Sequence, residues 1–400
     1  MKRAIKLLII FLLLLSVSVT SCSCLHATSL EKYGYVITIG IDKGEVYKYN
    51  VSFLLESGIK EGDDQSESAT NIVSAEADNI YNAIYTAESG LPYRLNFART
   101  NYIIVGFDIG ADNQIMDFFS LSWAHLKIRT SANMILSMTT AKEFMEGLTY
   151  TSELNITKLE NSLIDFYEME GLTSMISITD FLASINNPRY DAVVPLGCVD
   201  KSINSDSNSD TTEGVPRTGG MISYTLGSAL FSGSTLKGVI SGVETQMLLL
   251  IKGELESAAY QFMRKDGTSY SVVIGNSQPP ITKVDLDADK IKANIYIPIS
   301  LMLAQDNSEK QTAQMRNSGG ISDEMREQIE HYLKSTCITL CNHFRELNCD
   351  AVGIGKYASM KFKTVKAWEE YDFRSKISNI EYSFNIDFEI IDVFVSTYME

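Results

Sequence analysis

The chain has 400 residues, 45% apolar and 21% charged, a globular composition that excludes wholesale disorder. Fifty Asp and Glu stand against 34 Lys and Arg, a formal charge of −16, so the clustered cations that grip phosphate backbones are missing and no nucleic-acid partner is expected. Four histidines, His26, His125, His331 and His343, leave little for imidazole chemistry, and the length allows two domains.

The N-terminus carries an address. Lys2, Arg3 and Lys6 precede an apolar run over 7–15 that reaches Val19, the length of a signal-peptide core and short for a membrane span. Val19-Thr20-Ser21-Cys22 follows and resembles a bacterial lipoprotein signal, in which the cysteine thiol takes a diacylglyceryl group and becomes the first mature residue. Residues 1–21 are therefore read as a lipoprotein signal peptide and Cys22 as the lipidation site. Cys24 is a competing acceptor, although it would put Ser21 where the signal prefers Leu or Val. An ordinary secretory signal, cut nearby without lipid, is the alternative. Two acyl chains form the double anchor that durable attachment needs. Cleavage removes three basic residues and deepens the charge from −16 to −19. No later segment approaches 18 consecutive apolar residues, so the lipid is expected to be the only membrane attachment.

Further along, 33–42 and 46–55 read as a β-hairpin around Lys43-Gly44-Glu45. The segment 60–70 is polar loop. Ser74 is expected to cap a helix running to Ser89, with Gly90 and Pro92 as stops. A strand at 101–107, a helix near 111–119, a strand at 133–138 and a helix capped by Thr140 follow. A short helix then ends at Asn187-Pro188. Segments 224–231 and 237–240 read as strands joined by Ser232-Gly233-Ser234, and 271–274 and 283–299 supply more. A second polar loop covers 304–320. The longest helix covers 321–348, apolar at 321, 325, 329, 333, 340, 344 and 347, and 377–395 alternates as a terminal β unit. The fold class is mixed α+β: several lobes of mixed sheet flanked by helices, with a long helix near the C-terminus. The Ser/Asn/Asp/Gly-rich stretch 201–221 is the expected linker between α/β domains at 22–200 and 222–400.

Chemistry-bearing motifs fail one by one. Gly353-Ile354-Gly355-Lys356 lacks the spacing and the following Ser or Thr of a phosphate loop, and it follows a helix rather than preceding one. No nucleophile elbow, His-Glu-x-x-His, Cys-x-x-Cys or calcium loop occurs. Cys337 and Cys341 flank an apolar helical stripe, where Cys acts as a small hydrophobe, so with Cys198 and Cys349 they are read as structural and no metal or cofactor is expected.

Taken in order, several fragments resemble the Ger(x)C family, the lipoprotein C subunits of spore germinant receptors. They are the acylated cysteine before Gly40-Ile41-Asp42, the helix 77–87, Val105-Gly106, Phe181-Leu182 through Asn187-Pro188-Arg189 to Val194-Pro195, and Ala229-Leu230-Phe231 with Leu236-Lys237-Gly238. Gly242-Val243-Glu244-Thr245, 248–253, the long helix running into 349–355, and Trp368 complete the set. Arg99 stands where the family commonly has His, Ser23-Cys24 follows Cys22 where it usually has Trp-Asp, and the spacing to Gly40 fits Cys24 slightly better. The resemblance implies a non-enzymatic subunit without catalytic residues, lipid-anchored on the outer face of the inner spore membrane. It would assemble with two multi-pass membrane subunits and help convert a nutrient signal into germination. Gly40, Asp42, Gly238, Glu244 and Gly355 are then structural. The alternatives are an extracytoplasmic solute-binding lipoprotein, which needs an interdomain cleft with convergent polar groups, and a tethered cell-wall hydrolase, which needs paired carboxylates or a metal.

Overall fold

A computed structural model describes residues 3, 5, 6, 32–56, 71–112, 114–119, 126, 128–150, 161, 163–165, 168–200, 210–212, 215–217, 223–287, 290–307 and 320–391. Most of the signal peptide, Cys22, Cys24, the 60–70 loop and most of the second polar loop lie outside the described residues.

The first sheet starts with the expected hairpin, β1 (Tyr33–Lys43) and β2 (Tyr49–Leu55), paired antiparallel from Val36↔Leu55 to Lys43↔Tyr49. Next is β3 (Asn71–Ala77), antiparallel to β2, so Ser74 lies within a strand and bonds Ser52 across it at 2.8 Å. The helix expected from Ser74 begins later, as α1 (Ile80–Ser89), and its cap is Asn79, whose side chain accepts from Asn82 N. Pairing with β2 outweighed the local capping signal. The sheet continues through β4 (Arg94–Asn96), β5 (Tyr102–Gly106), the short helices α2 (Phe107–Ala111) and α3 (Ile115–Phe119), β6 (Asn133–Ser137), α4 (Ala141–Tyr150), α5 (Ile178–Ile185) and β7 (Ala192–Val199).

After the small hairpin β8 (Asp210–Thr212) and β9 (Val215–Arg217) come β10 (Ser223–Ser232) and β11 (Thr235–Ile240). The sheet order is β11-β10-β7-β6-β5-β1-β2-β3, with β4 beside β1. β7, β6, β5 and β1 form a parallel centre. Every residue of β5 is buried, as expected for a strand covered on both faces. One face carries α1, α2, α3 and α5 around Ile39, Ile41, Phe53, Ile103 and Phe181; the other carries α4 around Ile37, Ile104, Ile135 and Phe144. β7 and β10, on either side of 201–221, are direct neighbours, Ala229 opposite Val194, so the first sheet runs past this segment and the chain leaves it at Ser241.

Ser241 caps α6 (Gly242–Lys252), which leads into the second sheet: β12 (Ala258–Met263), β13 (Ser269–Asn276), β14 (Ile281–Asp287), β15 (Lys290–Asp306) and β16 (Ile380–Ile390). β14 and β13 pair with successive halves of the 17-residue β15, while β16 runs parallel to it from Ile291↔Ile380 to Leu301↔Ile390. A parallel partner needs a long crossover. It is supplied by α7 (Asp323–Glu346), α8 (Ile354–Ser359), α9 (Val365–Tyr371) and a 3₁₀ turn, Phe373–Asn379. α7 is the long helix read from the sequence. Ser322 caps it, and it buries Met325, Ile329, Leu333, Cys337, Leu340, Cys341 and Phe344. Cys337, Cys341 and Cys349 are buried free thiols. The second core takes in Val193, Leu230 and Ile240 of the first sheet, so apolar packing continues from one lobe into the other.

Leu333 is fully buried and Ile338, on the same helix, is 42% exposed. Leu333→Ala should therefore cost about 2–5 kcal/mol of unfolding free energy in urea titrations, whereas Ile338→Ala should stay within about 0.5 kcal/mol.

Candidate functional site

Two joints organise the molecule, each built on a buried carboxylate. The first lies in the first sheet. Asp42 ends the buried run of β1 and accepts from the backbone N–H of Ala141 at 2.6 Å and of Lys142 at 3.0 Å, closing the N-terminus of α4. Burial raises its pKa, and the two backbone donors pull the other way. Gly106 must lack a side chain because a Cβ there would collide with Asp42 Oδ1, and a Cβ on Gly40 would stand 2.6 Å from Met145 Sδ. Gly40 and Asp42 on β1 and Gly106, 64 residues beyond Asp42 at the end of β5, thus form one contact between β1, β5 and α4. Arg99, at the position where the resembled family has His, ion-pairs with Glu56 and lies 4.6 Å over the Tyr35 ring.

The second joint holds the two lobes together. Past α7 the chain turns through Asn348 (φ 50°) and reaches Asp350, whose carboxylate accepts three successive backbone N–H groups: Gly353 at 3.0 Å, Ile354 at 2.8 Å and Gly355 at 2.7 Å. This wraps the start of α8 around one side chain and places Gly353 at φ 82°. Asp350 also exchanges bonds with Asp191 at the foot of β7: its N–H donates to Asp191 Oδ2 at 2.7 Å, and its carbonyl accepts from Asp191 N at 3.2 Å. Arg374, from the 3₁₀ turn, closes the network. It donates to Asp191 Oδ1 at 2.9 Å, Ser232 Oγ at 2.6 Å and the Asn187 carbonyl at 3.1 Å. All three acceptors belong to the first lobe, so Arg374 reaches across the boundary. A Cβ on Gly355 would stand 2.6 Å from the Arg189 carbonyl and 2.9 Å from the Phe373 ring.

Burial drives the electrostatics here. Desolvation pushes the Asp350 carboxyl up to about 7 against the pull of its three backbone donors, with Asp191 adding to the rise. The buried Cys349 thiol is pushed well up by burial and by the same two carboxylates. A thiol held in that form is a poor nucleophile. Among the described residues, no group of three or more His, Cys, Asp or Glu side chains is placed to hold a metal ion.

Beside the joint a cleft of about 700 Å³ opens between the lobes. Tyr190, Asp191 and Ser177 line it from the first lobe, Gly353 and Lys356 from the second, and Lys252 from the end of α6.

The fragments singled out in the sequence converge on these places. Asn187 to Arg189, the end of β10 and 349–355 meet at the interlobe joint. A Cβ on Gly238 would stand 3.0 Å from Leu347 of the segment after α7. Glu244 forms a capping box with Ser241 and lies 3.9 Å from His343 Nδ1. Asp191 and Arg374 escaped the sequence reading because each is a lone charged residue, 183 positions apart and without a spacing rule to connect them.

Two family models match the chain in succession: the spore germination protein N-terminal domain over 26–197, and the spore germination B3/GerAC-like C-terminal domain over 226–393. Their boundary falls either side of 201–221, although the first sheet crosses it. A solved structure, titled crystal structure of the GerBC protein, shares the fold with a TM-score of 0.51 at 11% identity, over 88% of this chain and 96% of that one. A search of curated proteins finds no match.

The raised Asp350 carboxyl has a testable consequence. Between the ordinary 3.8 and about 7, the folded protein holds this proton and the unfolded chain has released it, so stability falls as pH rises across that window. In urea titrations from pH 5 to 8, wild type should lose stability relative to Asp350→Asn by up to about 1 kcal/mol per pH unit. Parallel pH profiles would refute the assignment.

Proposed function

Because the chain belongs to the GerAC-like family of germinant-receptor C subunits, we propose that it acts as a lipid-anchored, non-enzymatic subunit of a nutrient germinant receptor. The observation that carries this reading is the succession of the two family matches, N-terminal then C-terminal, across nearly all of the chain beyond the leader. Cys22 is the lipidation site, and the diacylglyceryl group holds the acidic body on the outer face of the inner spore membrane. No described helix is long and apolar enough to cross a membrane, and a body of charge −19 gains nothing from anionic headgroups. The anchor therefore does the holding.

The partners are two multi-pass membrane subunits. Tethering raises the local concentration of the body beside them, so modest interfaces suffice for assembly. The joints suit this role. Asp42 is consumed by backbone donors inside the first lobe, and Asp350 and Asp191 by backbone and guanidinium donors at the boundary, so the carboxylates are structural elements and the second joint keeps the two lobes in one orientation. In this reading 201–221 joins the two family modules, and the first sheet draws on both.

Cys22→Ala should abolish metabolic labelling with a fatty acid and release the protein from spore membranes, while Cys24→Ala should leave both intact. Labelling that persists in Cys22→Ala and vanishes in Cys24→Ala would move the acceptor. Affinity purification of the wild-type protein from spores in mild detergent should bring down two multi-pass membrane proteins; their absence would remove the assembly role.

A further inference from the structure

The interlobe cleft presents charged groups that the joint leaves unused. From α8, Lys356 extends its ammonium over the Tyr190 ring at 4.4 Å. It has no carboxylate partner among the described residues, so it is held by an aromatic face and left open to an anion. At the end of α6 the situation is reversed. Glu168 also lines the cleft, its carboxylate has no hydrogen bond or ion pair among the described residues, and it faces Asp165, Glu254 and Glu256. Burial and these like charges raise its pKa, and the nearby Lys252 is already engaged by Glu254 at 2.8 Å. Among the described residues, the Glu168 carboxylate lacks a cation and Lys356 lacks an anion.

The walls carrying them are built, not frayed. The turn after Glu168 is locked onto α6 by Gln246 Nε2, which donates to the Glu170 carbonyl at 2.9 Å, and a Cβ on Gly171 would press on Leu255, Gln246 and Leu249. Lys356 sits on the α8 turn that Asp350 holds through three backbone bonds. Leu249 and Val352 add apolar surface to the same lining, and the volume of about 700 Å³ lies in the range of small-molecule sites.

We propose that this cleft binds a small zwitterion, an amino acid or short peptide with free termini, its ammonium at Glu168, its carboxylate at Lys356 and its aliphatic part against Leu249 and Val352. Asp191 and Gly353 belong both to the cleft and to the joint, so a bound ligand touches both lobes and stabilises their closed arrangement. This goes beyond the assembly role and does not depend on it.

The test uses the full-length protein in detergent, with calorimetry and thermal unfolding against free amino acids and di- and tripeptides, their N-acetyl and C-amide derivatives, and neutral sugars. The expected result is saturable binding of at least one zwitterion with a raised unfolding midpoint, and a loss of about tenfold or more on blocking either terminus. Lys356→Met and Glu168→Gln should each weaken binding by a similar factor while keeping the wild-type circular dichroism and unliganded midpoint. Lack of binding by any zwitterion up to about 10 mM, above the millimolar end of the affinity scale, would overturn the proposal. So would binding indifferent to both substitutions, or a preference for sugars or blocked peptides. Co-purification of the membrane subunits is scored separately, so loss of the cleft proposal leaves the assembly reading untouched, and the reverse holds.

Discussion

A carboxylate buried at the meeting point of two lobes sets the terms for the rest of this molecule. Taking charges out of water costs several kcal/mol each, and the cost is offset only when each oxygen finds good donors. Asp350 finds three backbone N–H groups and Asp191 finds Arg374 and the Asp350 N–H, so the pair is tolerated only with the network complete. Completion imposes geometry. Gly353 must take a left-handed conformation, Gly355 must lie against the Arg189 carbonyl, and Arg374 must cross from the second lobe to the first. One electrostatic requirement thereby fixes how β7, the end of β10, α8 and the 3₁₀ turn sit relative to one another.

Apolar packing runs in the same direction. Val193, Leu230 and Ile240 of the first sheet enter the core that α7 and the second sheet build. The polar network supplies orientation on top of a non-directional hydrophobic contact, a division of labour found where two bodies must meet in a single register. Asp42 repeats the device on a smaller scale, fixing α4 to the ends of β1 and β5. A chain of germinant-receptor C-subunit type thus presents two sheets as one body. The cleft beside the joint is the place where a small molecule would touch both lobes at once.

Much of this was legible in the sequence where local pattern and tertiary partner agree. The first hairpin, β5, β6, α7 with its apolar stripe, and the paired strands around Ser232 emerge from alternation, turn residues and caps. Legibility failed where the partner decides. Asn71–Ala77 alternates weakly and contains a Ser with capping character, so it reads as a helix start until β2 lies beside it. The run Met247 to Ile251 is buried on all sides, and such a run has no periodicity to separate helix from strand. The available signal was Ser241-x-x-Glu244, a capping box that opens α6. At the joint, Asp350 and its glycines stood out as a fragment, but nothing linked them to Asp191 and Arg374. Those contacts exist only once the β15–β16 crossover has brought the C-terminal segment back to the first lobe. The domain picture shows the same limit. Composition marks 201–221 as a linker, yet β10 and β11 beyond it return to β7.

Amide hydrogen exchange through 349–355 probes the joint most directly, read in wild type and in Arg374→Ala. The account predicts that in wild type the N–H groups of Asp350, Gly353, Ile354 and Gly355 exchange as slowly as the core of β15. In Arg374→Ala the same four should accelerate together while the β1–β2 hairpin keeps its protection. Fast exchange of these amides in wild type, or rates unmoved by the loss of Arg374, would contradict the claim that this buried network holds the lobes as one body.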